Sequence, residues 1–167
     1  LYYGPGSPYA WRVWLALEHK QLPYELKLLS FSAGDLNKPE FGQLNPRRRV
    51  PVIVDDGFAL YESAAIVEYL EDRYPTAGAA LFPAEVRRRA VARRLIREAD
   101  QYLATAMERM VEEILFKPPE KWSKVAIDAG RNEFVEELTR FERQTPDAGF
   151  LLGNAGAADF TLYPLIA

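Results

Sequence analysis

Apolar residues change their spacing near residue 84, and that change divides the chain. Before it, short apolar runs alternate with amphipathic stretches; beyond it, apolar positions recur at helical spacing. The opening LYYG is an aromatic run that predicts a strand, and residues 8–20 follow as a helix with Val13, Leu15 and Leu17 among its apolar positions. LPYELKLL predicts a second strand. Within the polar stretch 32–44 one short helix is expected at about residues 35–43. VPVIVDDGFALYES then carries two apolar runs around Asp55, Asp56 and Gly57, the pattern of a hairpin. Ile66, Leu70 and Tyr74, spaced by four, predict a helix over 63–74, which YPTAGAALFP ends with proline, glycine and small residues. The expected organisation is a first domain at 1–75, a linker at 76–83 and a second domain at 84–167.

In the second part Ile96, Ala99, Leu103, Ala106 and Met110 step by 3, 4, 3 and 4, a helix that buries one stripe. Arg87, Arg88, Arg89, Arg93, Arg94 and Arg97 crowd its opening turns and are expected to form a solvated face paired with nearby acids. A further helix is predicted over 119–143, and another opens near Ala157. The order β-α-β-α-β-β-α followed by helices alone implies an α/β domain with a mixed sheet, joined to an all-α domain. Neither an internal repeat nor a low-complexity segment interrupts it.

Composition narrows the chemistry. With 167 residues, 49% hydrophobic and 27% charged, the chain is long enough for a buried core, as one domain or two small ones. Its formal charge of −3 gives no basic face to neutralise phosphates, so neither a nucleic acid nor a membrane surface is an expected partner. The absence of cysteine excludes disulfides, thiolate metal sites and cysteine nucleophiles, and the single His19 cannot make a histidine-rich site, so no metal is expected. No apolar run approaches the roughly 20 residues of a spanning helix, and no charged-then-apolar leader precedes Leu1; a cytoplasmic location is the expectation. The lack of a starting methionine and the stop at LYPLIA in mid-pattern predict a longer protein.

Three stretches carry candidate chemistry. In GPGSPYAWRV, Ser7 and Pro8 stand where an N-cap and a first helical residue belong, yet the same serine could present a catalytic hydroxyl. In RVPVIV, Pro51 has no N–H for a ladder, so it needs an edge, a bulge or a cis bond. A Val-Pro step entering a hairpin favours the cis option, which would aim the N–H and C=O of Val50 at an extended peptide; a plain edge proline is the alternative. In YESAAIVEYL, capping by Ser63 and a favourable dipole contact from Glu62 suffice as explanations. A helix start with free N–H groups beside an acid would also hold the zwitterionic end of an amino acid.

Taken together, SPYAWRV, LNPRRRVPVIVDDG and YESAAIVEYLEDRYP resemble the thioredoxin-like N-terminal domain of cytosolic glutathione transferases, and GNAGAADFTLYPL resembles the helix-opening motif of that family's C-terminal domain. The resemblance implies a cis Pro51, a Val50 backbone paired with the cysteinyl part of glutathione, and Glu62 with Ser63 gripping its γ-glutamyl end. Arg49 would meet the glycyl carboxylate, with Lys38 as a substitute because the helical residue that meets it elsewhere is Leu36 here. Tyr9, Trp11 and Tyr102 would line an acceptor pocket, and Asp100 would reach toward the ligand of a partner subunit. The implied activity is conjugation of glutathione to a small hydrophobic electrophile by a homodimer. Alternatives are a glutathione-dependent isomerase or dehalogenase, although the Ser-Ser-Cys run of the zeta class is absent, and a non-catalytic binding or assembly domain.

Two departures from the family pattern matter. Gly156 replaces the serine or threonine of the C-terminal motif, so the reciprocal hydrogen bond to Asp159 is expected to be lost while the helix survives. Ser7 stands where omega-class and glutaredoxin-like members have cysteine and matches the catalytic serine of zeta- and theta-like classes, the reading being a serine-type, bacterial-style member. A serine cannot form a mixed disulfide, which disfavours thiol-disulfide exchange. Tyr3 is the alternative hydroxyl, as in tyrosine-type classes.

Overall fold

In the computed structural model, which describes residues 1–167, four strands form a mixed sheet in the order β2-β1-β3-β4. These are β1 (Tyr2–Tyr3), β2 (Lys27–Leu28), β3 (Val52–Asp55) and β4 (Phe58–Tyr61). β1 runs parallel to β2 and antiparallel to β3, and β3 pairs antiparallel with β4 through a turn in which Asp56 and Gly57 both take positive φ (49° and 84°). That two-residue turn with positive φ at both positions matches the twist of the hairpin, and glycine adopts its half without cost. The helices of this unit are α1 (Pro8–His19), α2 (Pro39–Leu44), which follows a 3₁₀ turn at Asp35–Asn37, and α3 (Ser63–Arg73). α1 packs on α3, and Val13, Ala16, Ile66, Val67 and Leu70 form a core with Val52 and Ile53 of β3.

Two expectations change here. LPYELKLL contributes only Lys27 and Leu28 to the sheet. Pro23 brings no N–H, and the Tyr24 hydroxyl is engaged by Trp14 and Glu18 of α1, so the segment joins the ladder only where Leu1 and Tyr3 offer carbonyls, at 2.8 Å from the N–H groups of Lys27 and Leu29. The second concerns the linker. The chain divides into compact units Leu1–Ala84 and Glu85–Ala167, and residues 76–83 are tied to the first. Glu71 accepts hydrogen bonds from the N–H groups of Leu81 (3.0 Å) and Phe82 (3.4 Å) while pairing with Lys20 at 2.8 Å, and Leu81 and Phe82 are buried.

At the hairpin end of the sheet, Asp55 accepts from the hydroxyls of Tyr69 and Tyr74 of the α3 segment, each at 2.7 Å. The two phenols hold the Asp55 carboxyl below the usual carboxylate range. In return the hydrogen bond to Asp55, with burial, pushes Tyr74 up to about 12. Ultraviolet titration is therefore expected to show one tyrosine ionising near pH 12, and Asp55→Asn to return it toward about 10. Because the folded value lies above the unfolded one, this pair's stabilisation is complete below about pH 10 and disappears as pH rises through about 12.

The second unit is helical: α4 (Val86–Glu98), a π-helical segment Ala99–Leu103, α5 (Ala104–Phe116), α6 (Lys124–Glu142) and α7 (Ala157–Ile166). Ile96, Ala99, Leu103 and Ala106 are buried as the spacing predicts and Met110 is half-buried, but the π segment interrupts what the sequence presents as one regular helix. α6 opens at Lys124 rather than 119, because the hydroxyl of Ser123 caps Ala126 N–H at 3.2 Å and Pro119–Lys121 make only a 3₁₀ turn. Glu113 joins the two helices, accepting from Lys117 and from Ser123 N–H (2.9 Å), contacts that hold its carboxyl below the usual range. α5 and α6 approach closely at Gly130, where a Cβ would lie 2.9 Å from Met110 and 3.2 Å from the Ala106 carbonyl.

The arginine-rich opening of α4 behaves as a solvated face. Glu85 caps it, accepting from Arg87 and Arg88 N–H at 2.8 Å, and Arg94 pairs with Glu98 at 2.8 Å. At α7 the outcome differs from expectation. Asp159 keeps its bond to Gly156 N–H (3.0 Å) and accepts a second from Leu151 N–H (2.9 Å), so glycine forfeits only the half of the capping box that a side-chain oxygen would make.

Candidate active site

Strand register gathers three loops at one end of the sheet. Val52 faces Tyr2 on one side and Tyr61 on the other. The chain leaving β1 toward Ser7, the chain entering β3 through Val50 and Pro51, and the chain leaving β4 into Glu62 and Ser63 therefore meet at the same edge. Antiparallel pairing of β3 with both neighbours is the physical reason, since it sets the exits of β1 and β4 beside the entry of β3.

Ser7 is the N-cap of α1: its Oγ accepts from Ala10 N–H at 3.2 Å, and Pro8 takes the first helical position. Capping uses an acceptor lone pair, leaving the hydroxyl proton for donation outward. Capping and chemistry are thus compatible. Tyr3 sets its ring edge-on to Trp14 at 5.7 Å, a packing role.

The Val50–Pro51 peptide is cis. Val50 precedes the ladder, and neither its N–H nor its C=O hydrogen-bonds within the protein. Its backbone is a short unpaired edge of the kind that accepts an extended peptide.

Ser63 does not cap α3. Glu62 holds the cap position with φ 71° and ψ 105°, and its carbonyl accepts from Ile66 N–H at 2.9 Å; Ser63 is the first helical residue, 6% exposed, with no hydrogen bond from its hydroxyl. The positive φ of Glu62 is what moves the serine past the cap. The N–H groups at the start of α3 and the Ser63 hydroxyl thus remain available at the positive end of the helix, next to an exposed carboxylate. A non-glycine residue at such φ is strained by about 1–3 kcal/mol, which marks functional sites more often than passive ones.

The cations divide. Lys38 pairs with Asp35 at 2.7 Å, a contact that raises the lysine and, with Ser30 N–H, lowers the aspartate. Arg49 is exposed without an intramolecular ion pair, as is Arg47, while Arg48 donates to the Leu36 carbonyl at 3.3 Å. Of the aromatic residues, Tyr9 and Trp11 lie on α1, Trp11 being 39% exposed, and Tyr102 lies 51% exposed on the π segment of the second unit, which also carries Asp100.

Sequence reasoning misses Asn45. It is 2% exposed; its Nδ2 donates to the Arg49 carbonyl at 2.8 Å and its Oδ1 accepts from Arg47 N–H at 2.9 Å. Asn-Pro ahead of a basic loop is a turn signal from which an Asx turn could have been foreseen.

Comparison with known proteins agrees with this geometry. Residues 6–73 match the family described as glutathione S-transferase, N-terminal domain. A glutathione S-transferase of Hypomyces subiculosus is 47% identical over 72 residues, 43% of this chain and 34% of its own length, so the chain spans about a third of that relative. Glutathione S-transferase A of Pleuronectes platessa is 29% identical over an alignment of 174 positions, covering 100% of this chain and 76% of that one. A glutathione transferase from Burkholderia graminis, solved with two glutathione molecules per subunit, superposes with a TM-score of 0.87 at 27% identity, over 99% of this chain and 70% of its own. Residues 6–73 thus match the model of the glutathione S-transferase N-terminal domain, and the chain as a whole carries the fold of solved glutathione transferases.

Proposed function

We propose that this protein conjugates the thiolate of glutathione to small hydrophobic electrophiles, as a serine-type, zeta- or theta-like member of its superfamily. The observation that carries the reading is the convergence at one sheet end of an unpaired Val50 backbone, a helix start whose serine does not cap it, beside Glu62, and the hydroxyl of Ser7. In this reading the N–H and C=O of Val50 pair with the cysteinyl residue, the start of α3 with Ser63 takes the γ-glutamyl carboxylate, and Glu62 takes its ammonium. Arg49 meets the glycyl carboxylate; Lys38 is less suited because Asp35 already engages it. Tyr9 and Trp11 of α1 supply apolar surface for the acceptor. The protein works in the cytoplasm as a homodimer, without a metal.

The Ser7 hydroxyl donates a hydrogen bond to the sulfur, keeping its own proton, and so favours the thiolate over the thiol. A thiol of pKa about 8.5 is roughly 3% ionised at pH 7, and lowering it by about 2 units brings it to roughly three-quarters, a gain of about 25-fold. If nucleophilicity falls with basicity at a slope of about 0.45, roughly 8-fold is lost again. Ionisation alone therefore nets about 3-fold, and holding the sulfur against the electrophile carries the rest.

The test is calorimetric titration with glutathione, then turnover of a chloronitrobenzene by wild type and Ser7→Ala. Wild type is expected to bind at millimolar glutathione, and the variant to lose about 3-fold in kcat at pH 7, the net gain from ionisation. Failure of wild type to bind removes the catalytic reading. Binding with unchanged turnover in the variant removes Ser7 from the mechanism and leaves Tyr3 as the hydroxyl to examine.

A further inference from the structure

We infer that Asn45 is a positioning residue for glutathione, acting through the peptide group that joins Arg49 to Val50; the inference rests on the glutathione reading. The Asn45 side chain is buried and bridges the loop from both ends, donating to the Arg49 carbonyl at 2.8 Å and accepting from Arg47 N–H at 2.9 Å. Its own backbone ties that loop to α2: its N–H donates to the Phe41 carbonyl at 2.9 Å at the end of the helix, and its carbonyl accepts from Arg48 N–H at 3.0 Å within the loop.

The carbonyl that Asn45 grips and the N–H of Val50 belong to one peptide unit. The cis bond of this loop lies one residue later, so this unit is trans, and its C=O and N–H point in opposite directions. Fixing the carbonyl toward Asn45 fixes the Val50 N–H away from it, toward the edge that has no partner within the protein. The Asn45 amide therefore sets the direction of the donor on which the cysteinyl residue of glutathione would pair. The loop between the two anchors needs such a clamp, because Arg48 sits at φ 55°, a conformation that exposed non-glycine residues adopt at a cost. Asparagine has the chemistry for this clamp, since one side chain supplies both a donor for a carbonyl and an acceptor for an N–H two residues on.

Asn45→Asp tests this with little change of shape, since the aspartate still accepts from Arg47 N–H but turns an oxygen, instead of an amide, toward the Arg49 carbonyl. The expected result is a Kd for S-methylglutathione, which carries the peptide without a reactive thiol, about 10-fold higher than wild type. KM for glutathione rises in parallel, while KM for the electrophile stays within about 2-fold. Asn45→Ser, which removes the amide without adding charge, is expected to weaken binding in the same direction and serves if the aspartate variant does not fold. A variant with a lowered Tm but wild-type Kd overturns the inference, because a merely structural clamp would behave so. Equal weakening toward glutathione and electrophile overturns it as well. Should wild type itself fail to bind S-methylglutathione, the glutathione reading falls and this inference with it, an outcome distinct from a variant that binds as wild type does.

Discussion

Lys20→Met is expected to destabilise the first unit by about 3–5 kcal/mol at pH 7, a large share of the 5–15 kcal/mol that keeps a domain folded. The lysine ammonium is wholly buried and lies 2.8 Å from Glu71, whose carboxylate also accepts from the N–H groups of Leu81 and Phe82. Methionine fills a similar volume with apolar atoms, so packing survives and the loss comes from a buried carboxylate without its cation. Burial by itself disfavours the charged form of Glu71; the bonds from Lys20 and from Leu81 N–H, with the attraction of Lys20, outweigh it, and the carboxyl titrates below its ordinary range. A depressed value means that the stabilisation is present above the unfolded pKa of about 4.3 and is lost as pH falls through the folded one. In the variant that balance tips back toward burial, so its penalty shrinks as acid neutralises Glu71. Urea unfolding followed by circular dichroism at pH 7 and pH 4 checks both statements: a gap below about 1 kcal/mol at pH 7, or one that widens in acid, contradicts them. Adding Glu71→Gln to the variant removes the orphaned charge and is expected to recover most of the loss.

What the chain reveals in advance depends on how local each feature is. The hairpin follows from Asp56-Gly57 between apolar runs, and the cap at Ser7 follows from Ser-Pro at a helix start, because each is decided within four residues. Val50-Pro51 is legible because proline at the mouth of a strand has few structural solutions. Features decided by partners far along the chain are not. The length of β2 is set by which carbonyls Leu1 and Tyr3 present, and residues 76–83 look like a linker until Glu71, ten residues before Leu81, accepts their N–H groups. Ser63 misleads for a subtler reason. Residue type suggests a cap, but the positive φ of Glu62 shifts the helix start by one position, and no propensity encodes that conformation in a glutamate. Asn45 escapes because its role lies in a peptide group four residues away.

The displaced Ser63 and the strained Glu62 lead to the largest functional effect. Glu62→Ala combined with Ser63→Ala is expected to raise the Kd for glutathione by about 100-fold or more, since two hydrogen bonds to charged groups, at about 1.5–3 kcal/mol each, are removed. A structural explanation of the pair predicts something else: if the two residues served only to start α3, their loss would appear as a lower Tm with binding retained in the folded fraction. Glu62→Gly separates the explanations more sharply. Glycine adopts φ 71° freely, relieving about 1–3 kcal/mol of strain against a loss of about 0.5–1 kcal/mol to the greater freedom of its unfolded chain. Stability should therefore hold or rise while glutathione affinity falls at least 10-fold, and thermal unfolding beside calorimetry reads both quantities on one sample. Opposite signs for stability and binding are the signature of a residue held in an unfavourable conformation for its ligand. A variant that loses stability and keeps its affinity would instead make Glu62 part of the scaffold and leave the ammonium of the γ-glutamyl group without its assigned partner.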